Sequence, residues 1–348
     1  MPKDKELVVV TGGSGFIASH IIIKLLKQGF AVRATVRSLA KTDLIKRMLT
    51  NGGVQDFSAL SFIETDLTRD QNWEQAMAGA TYAIHPASPT PTLNFKKEEE
   101  MIRPAIDGVL RVLKAARDHQ LKRVVLTSAY GAIFAGHKNR TTPYTEEDWS
   151  DLSAKNIHPY QKSKTLSEKA AWKFIQEEGN GLELATVNPV SVMGPVLSSD
   201  YSHSNIQIQN LLEGKVPAAP KVDSGYVDVR DVADLHLLAM TSPQAAGQRF
   251  LATTGETLSM LEVANILREA FPAYADKLPT KELPNAVIKA IALTNPMMKM
   301  VALLVGTYAQ TSNAKAVRML GWHPIPAKDA IIATAQSMID LGLVKSNK

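Results

Sequence analysis

The run Leu7-Val8-Val9-Val10-Thr11-Gly12-Gly13-Ser14-Gly15-Phe16-Ile17-Ala18 reads as a buried strand that ends in a glycine-rich turn and opens a helix. Gly12 and Gly13 can take backbone angles closed to other residues, and Gly15 lets another group approach with no Cβ in the way. The helix behind them begins with free N–H groups and a positive dipole end, so an anion is favoured there. Ala18 stands where a third small residue lets helix pack on strand, and the element spells Thr-Gly-x-x-Gly-x-x-Ala. Phe16 to Gln28 carries helical apolar spacing, Gly29 stops it, and a second strand follows at 31–36. Together these specify a dinucleotide phosphate site in an α/β fold.

From residue 7 to about 190 the pattern repeats, with strands at 7–11, 31–36, 59–63, 81–85, 122–127 and 182–187 and helices at 16–28, 41–50, 71–78, 97–118 and 160–178. This alternation predicts a doubly wound parallel sheet. Pro104 predicts a kink in the fourth helix, or a start close to it. Residues 195–225 are rich in Ser, Pro, Gly and Asn, 226–240 return to strand and helix, and 256–340 read as mostly helical. The expected division is a nucleotide-binding domain of 1–194 plus 226–255 and a smaller, non-contiguous substrate lobe of 195–225 plus 256–340. Met193, Val196, Leu197, Ile206, Ile208, Leu211, Val216 and Tyr226 fall in a stretch read as too irregular for a core of its own. They are expected to wall an apolar pocket, or only to stitch the lobes together.

The net charge of +5 is mild and no Lys/Arg run exceeds two residues, so a nucleic-acid surface is not expected. The absence of cysteine excludes disulfides, thiolate metal sites and cysteine nucleophiles, and fits a reducing compartment. His137, His158 and His203 show no metal-ligand spacing, and no metal is expected. Residues 1–6 are too polar for a signal peptide, and the apolar region 286–309 is broken by Lys289, Pro296 and Lys299. A cytoplasmic chain with no membrane partner is expected.

An acid about 20 residues past the glycines marks an NAD site, whereas a basic residue there takes the 2′-phosphate of NADP. Here no Asp or Glu lies between Glu6 and Asp43, the second strand ends on Arg37, and Lys41 lies one turn beyond. A guanidinium suits a phosphate dianion, so NADPH/NADP+ is expected. Asp66, after the third strand, is placed to meet the adenine edge.

Tyr160 and Lys164 share a helix face at i, i+4 spacing. The pair alone means little, since Tyr226 and Arg230 repeat it. Its context is a strand, 123–127, that ends at Ser128 and so delivers a hydroxyl to the carboxyl edge of the sheet, where ligands bind. A phenol near pKa 10 needs help to exchange a proton, and a neighbouring ammonium is expected to lower that pKa.

At this point the chain resembles the extended short-chain dehydrogenase/reductases, in the branch of dihydroflavonol reductase-like carbonyl reductases. The resemblance rests on residues 11–18, Val36-Arg37-Ser38, Asp66-Leu67, His85-Pro86-Ala87-Ser88-Pro89, Pro104 to Gly108, Leu126-Thr127-Ser128, Glu147 to Ser150, Tyr160 with Lys164, Asn188-Pro189, Gly194-Pro195 and Asp228 to Val232. It implies a Rossmann sheet and a reduction of an aldehyde or ketone, with Tyr160 as general acid, Lys164 tuning it and holding the ribose, and Ser128 on the carbonyl. It implies cofactor contacts at Thr11, Gly12, Gly13, Ser14, Gly15, Phe16, Ile17, Arg37, Lys41, Asp66, Leu67, His85, Ala87, Ser88, Thr127, Tyr160, Lys164, Pro189 and Val192. Substrate contacts are expected at Ser88, Ser128, Tyr130, Met193 and Tyr226. A monomer or homodimer is expected. Two other readings share parts of the pattern: a nucleotide-sugar epimerase or dehydratase with retained NAD, which Arg37 disfavours, and a non-catalytic nucleotide sensor, which the intact Ser128, Tyr160 and Lys164 disfavour.

Overall fold

A computed structural model describes residues 5–88, 97–137, 140–155, 157–199, 201–294, 301–302, 305 and 310–345. Pro89 and much of the apolar region 286–309 lie outside these. In chain order the first half runs β1 (Leu7–Val10), α1 (Phe16–Lys27), β2 (Ala31–Val36), α2 (Thr42–Asn51), β3 (Leu60–Glu64), α3 (Trp73–Met77), β4 (Tyr82–His85), α4 (Glu99–Asp118), β5 (Arg123–Thr127), α5 (Pro159–Glu178) and β6 (Glu183–Pro189). The second half runs β7 (Ser191–Met193), α6 (His203–Leu212), β8 (Ala219–Pro220), β9 (Asp223–Asp228), α7 (Val229–Thr241), β10 (Arg249–Ala252), β11 (Thr257–Ser259), α8 (Met260–Ala270) and β12 (Glu282–Leu283), then helices Asn285–Ile291, Ala314–Leu320 and Ala327–Asp340.

Strands β1 to β6 and β10 pair in parallel in the order β10-β6-β5-β4-β1-β2-β3. Alternate side chains leave the sheet on opposite faces. Val8 and Val10 pack with Ile21 and Ile22 of α1 and Val232 and Leu235 of α7, whereas Val9 packs with Val112 and Leu113 of α4 and Phe174 of α5. The strand order reverses between β1 and β4, which opens a crevice at their carboxyl ends. Both loops that carry the expected cofactor residues start there.

Pro104 neither breaks nor begins its helix, since α4 runs through it. The proline ring already holds a helical φ and its missing N–H removes a single bond in the second turn. The larger correction concerns 195–225, whose described residues include helix α6 and strand β8 and the start of β9. Ile208, Leu211 and Leu212 share one face of α6 and join the core that contains Phe250 and Val187. Met193 is fully buried and Tyr226 is 1% exposed, its hydroxyl accepting from Gln207 Nε2 at 3.2 Å. Ile206 alone of the eight apolar residues is exposed. Met193 and Tyr226 are therefore core residues here. Strand β9 leaves the large sheet and forms a small one, parallel to β7 and antiparallel to β11.

Candidate active site

The glycine turn follows β1 at the crevice. Gly12 has φ +66°, and a Cβ there would meet the Ala87 Cβ at 2.9 Å; one on Gly13 would meet the Ala34 Cβ at 2.9 Å. The turn is closed by Gly13 N–H donating to Thr35 O and Gly15 N–H to Gly12 O, both at 2.8 Å. No side chain caps α1 at Gly15 and no acid stands in its first turn, so the helix meets the crevice with open amides. That cradle fits the pyrophosphate of a dinucleotide.

Thr11 ties this turn to the loop after β4. Its Oγ1 accepts Ala87 N–H at 3.2 Å and is hydrogen-bonded to His85 Nδ1 at 2.7 Å. His85 Nε2 is a buried atom with no hydrogen-bond partner among the described residues. Burial, with the Lys164 charge adding to it, pulls His85 down to about 3, so the ring is neutral.

Arg37 and Lys41 stand exposed where β2 ends and a short 3-10 turn begins, and among the described residues neither forms an ion pair. Asp66 is half-buried, and its Oδ1 accepts from Thr68 N–H and Oγ1, both at 2.8 Å. Those bonds, ahead of the Arg69 and Arg37 charges, hold its carboxyl below the usual range. Its other oxygen is not used in them.

Ser128 follows β5 directly, its N–H donating to Val187 O at 2.8 Å. Helix α5 starts on a reciprocal cap in which His158 Nδ1 accepts Tyr160 N–H and Gln161 Oε1 accepts His158 N–H, each at 3.2 Å, with Pro159 at the first helical position. Tyr160 is half-buried and its ring lies against the turn after Ser128, since a Cβ on Gly131 would stand 3.7 Å from Tyr160 Cε1. Lys164, one turn on, is 8% exposed, and burial lowers it to about 8 against the pull of Glu168. Burial raises Tyr160 to about 12. The expected lowering by Lys164 is therefore corrected for this state: burial alone sets the shift of the phenol, and its direction is upward.

A single cleft is lined by Leu67, His85, Ala87, Ser88, Thr127, Ser128 and Lys164, all expected from the sequence, together with Ala105, Val109, Leu126 and Ser167, which were not. Pro189 ends β6 and Val192 lies buried in β7, so both border the same sheet end. Tyr130 is partly buried, stacks on Phe134 with centroids 4.5 Å apart, and keeps a buried hydroxyl without a hydrogen-bond partner among the described residues. His158, expected as a loop histidine, is the cap of the helix that carries Tyr160. Glu168, behind Ser128, was not singled out; its signal was a carboxylate at i+8 from Tyr160 and i+4 from Lys164, on the face turned to the sheet.

Residues 8–252 match the NAD dependent epimerase/dehydratase family, and the chain belongs to that family. It is similar to cinnamoyl-CoA reductase CAD2 of Medicago truncatula, 36% identical over 281 residues that cover 79% of this chain and 83% of the relative. It is also similar to a putative NADPH-dependent methylglyoxal reductase, GRP2, of Candida albicans, at 32% over 78% of this chain and 85% of that one. Among solved structures, yeast methylglyoxal/isovaleraldehyde reductase Gre2 in complex with NADPH superposes with a TM-score of 0.79 at 27% identity, covering 97% of this chain and 100% of the other.

Proposed function

We propose that this chain, an NADPH-dependent oxidoreductase, reduces an aldehyde or ketone to the alcohol with Tyr160 as the general acid. The observation that carries the reading is the placing of Ser128 and Lys164 in one cleft with Tyr160 one helical turn from Lys164, at the carboxyl edge where the glycine cradle opens. When bound, NADPH supplies the hydride. The α1 amides and glycine turn hold the pyrophosphate, Arg37 and Lys41 meet the 2′-phosphate, and Asp66 meets the adenosine. His85 Nε2 meets the cleft, where a ligand atom or water satisfies it. Tyr160, protonated at neutral pH, gives its proton to the substrate oxygen, Lys164 holds the ribose as a cation, and Ser128 bonds the carbonyl oxygen.

Ser88, Ser128 and Tyr130 are the substrate contacts this reading favours, whereas Met193 and Tyr226 are buried in the core. Segments 195–225 and 256–340 serve as the substrate lobe. The reading includes a cytoplasmic location and a monomer or homodimer; among the described residues no helix is long and apolar enough to cross a membrane. The sugar-nucleotide alternative is weaker because it needs a retained NAD, and the second strand is followed by Arg37 instead of an acid. The test is oxidation of NADPH over a panel of aldehydes, diketones and ketoesters, with the nucleotide content of the purified protein measured in parallel. Stoichiometric NADPH consumption with little bound nucleotide is expected. Co-purified NAD+ near one per chain with no NADPH consumption would overturn it.

A further inference from the structure

His85 and Lys164 line the same narrow part of the cleft. Leu67, Ala105, Val109 and Leu126 give that space apolar walls, and it leaves about 10 Å³ for the centre of a water, room for one molecule. Both polar groups are short of partners. His85 is 1% exposed, its Nδ1 is taken by Thr11 Oγ1 at 2.7 Å, and its Nε2 is buried without a hydrogen bond among the described residues. The bond to Thr11 stops the ring from turning Nε2 elsewhere. Lys164 is 8% exposed and carries three donors, yet among the described residues no acceptor bonds its ammonium. The two groups are near enough for the Lys164 charge to act on the His85 ring.

Leaving two buried groups unpaired costs free energy, and a single water removes both deficits. It accepts from the ammonium, and it donates to or accepts from Nε2, so either tautomer of the neutral ring is served. A hydrogen-bonded water favours the charged form of the lysine, against the burial that disfavours it. It also fixes where the end of a flexible side chain points. The other titratable groups beside Lys164, Tyr160 and Glu168, stand on its own helix, while α4 meets the cleft with Ala105 and Val109 and β5 with Leu126 and Thr127. Among the described residues that line the cleft from other elements, His85 alone titrates.

We propose that His85 is a positioning residue for Lys164, holding the ammonium through one bridging water in the place from which it meets the cofactor ribose. This rests on the reading of Lys164 as the cation of the reaction. Asparagine carries polar atoms near the place of a histidine Nδ1, and glutamine near that of Nε2, so two variants separate the two edges of the ring. Lys164 titrates at about 8, where kcat/KM is expected to fall in the native chain. His85→Asn keeps a partner for Thr11 and loses the water, so its fall is expected about one pH unit lower. His85→Gln gives up Thr11 and keeps the water, so its fall is expected at the native pH, with a higher KM for NADPH. Equal displacement in the two variants, or none in His85→Asn, would overturn the proposal. A native chain whose kcat/KM shows no fall near pH 8 would overturn the Lys164 reading itself, a separate failure. A crystal structure of the native chain gives a second readout that does not depend on the variants folding. It is expected to show a water within about 3 Å of both Lys164 Nζ and His85 Nε2. A water that meets only one of them, or none in that space, would overturn the bridge.

Discussion

A phenol held at about 12 stays protonated throughout the neutral range, which is the state a general acid for reduction requires. Tyr160→Phe should therefore cut kcat by about 10²–10⁴-fold while NADPH binding, followed by fluorescence titration, is nearly unchanged. Retention of most of the rate would mean that the proton comes from elsewhere. Lys164 titrates at about 8, below an ordinary lysine, because burial penalises its charge. It is charged below that pH and neutral above it, so kcat/KM should fall as pH rises through about 8. A flat profile there would remove the ammonium from the reaction. Arg37 offers a third check, since losing one hydrogen bond to a charged group costs about 1.5–3 kcal/mol. Arg37→Ser should weaken NADPH by roughly 10- to 100-fold relative to NADH. Equal kcat/KM for both cofactors in the native chain would contradict the role given to Arg37.

At the scale of elements, the geometry of the acid depends on how α5 begins. His158 accepts Tyr160 N–H and so fixes the turn on which the phenol sits. His158→Ala should cost about 1 kcal/mol of stability, as lost caps do, and should lower kcat more than it changes the KM for NADPH. A stability loss with kcat intact would make the cap purely structural. The sequence disclosed α5 and its neighbours to within a few residues, because period, proline and glycine signals agree there. It did not disclose the cap, since histidine is not among the usual capping types. Nor did it disclose α6, where Ile208, Leu211 and Leu212 make a helical face too short to stand out among Ser, Asn and Gly. Arg123 was hidden for a different reason. Its side chain is 1% exposed and donates to the carbonyls of Ala239, Met240 and Ser242 at the end of α7, partners more than a hundred residues away.

At the scale of the molecule, the same divide between local and distant signals holds. The nucleotide half was legible because each β-α unit carries its own period, and the strand order then follows from the right-handed crossover rule. The pairing of Glu168 with Arg249 across 81 positions, which joins α5 to the sheet edge behind Ser128, has no local signature. Burial also decides how the whole fold meets acid. His20 and His236 are pulled to about 4 and His85 to about 3, in each case chiefly by burial. These rings are neutral in the folded chain and ordinary, near 6.5, in the unfolded one, so the unfolded state binds more protons between about 6.5 and 4. Their contribution is present above 6.5 and is lost as pH falls through that window. At 1.36 kcal/mol per unit, a group shifted from 6.5 to about 4 contributes about 3 kcal/mol. Asp231, raised to about 6 by burial, and Glu146, also raised by burial, work the other way, taking up protons in the folded state. The three histidines outnumber these two carboxyls, and each shifts further than Asp231, so the net slope keeps its sign. Urea midpoints should therefore fall steadily from pH 6.5 to pH 4.5, before ordinary carboxylates near 4 protonate. His236→Gln, which cannot titrate, should flatten that slope by about one proton. Stability that stays level or rises over this window would show that the buried rings gain protons without unfolding.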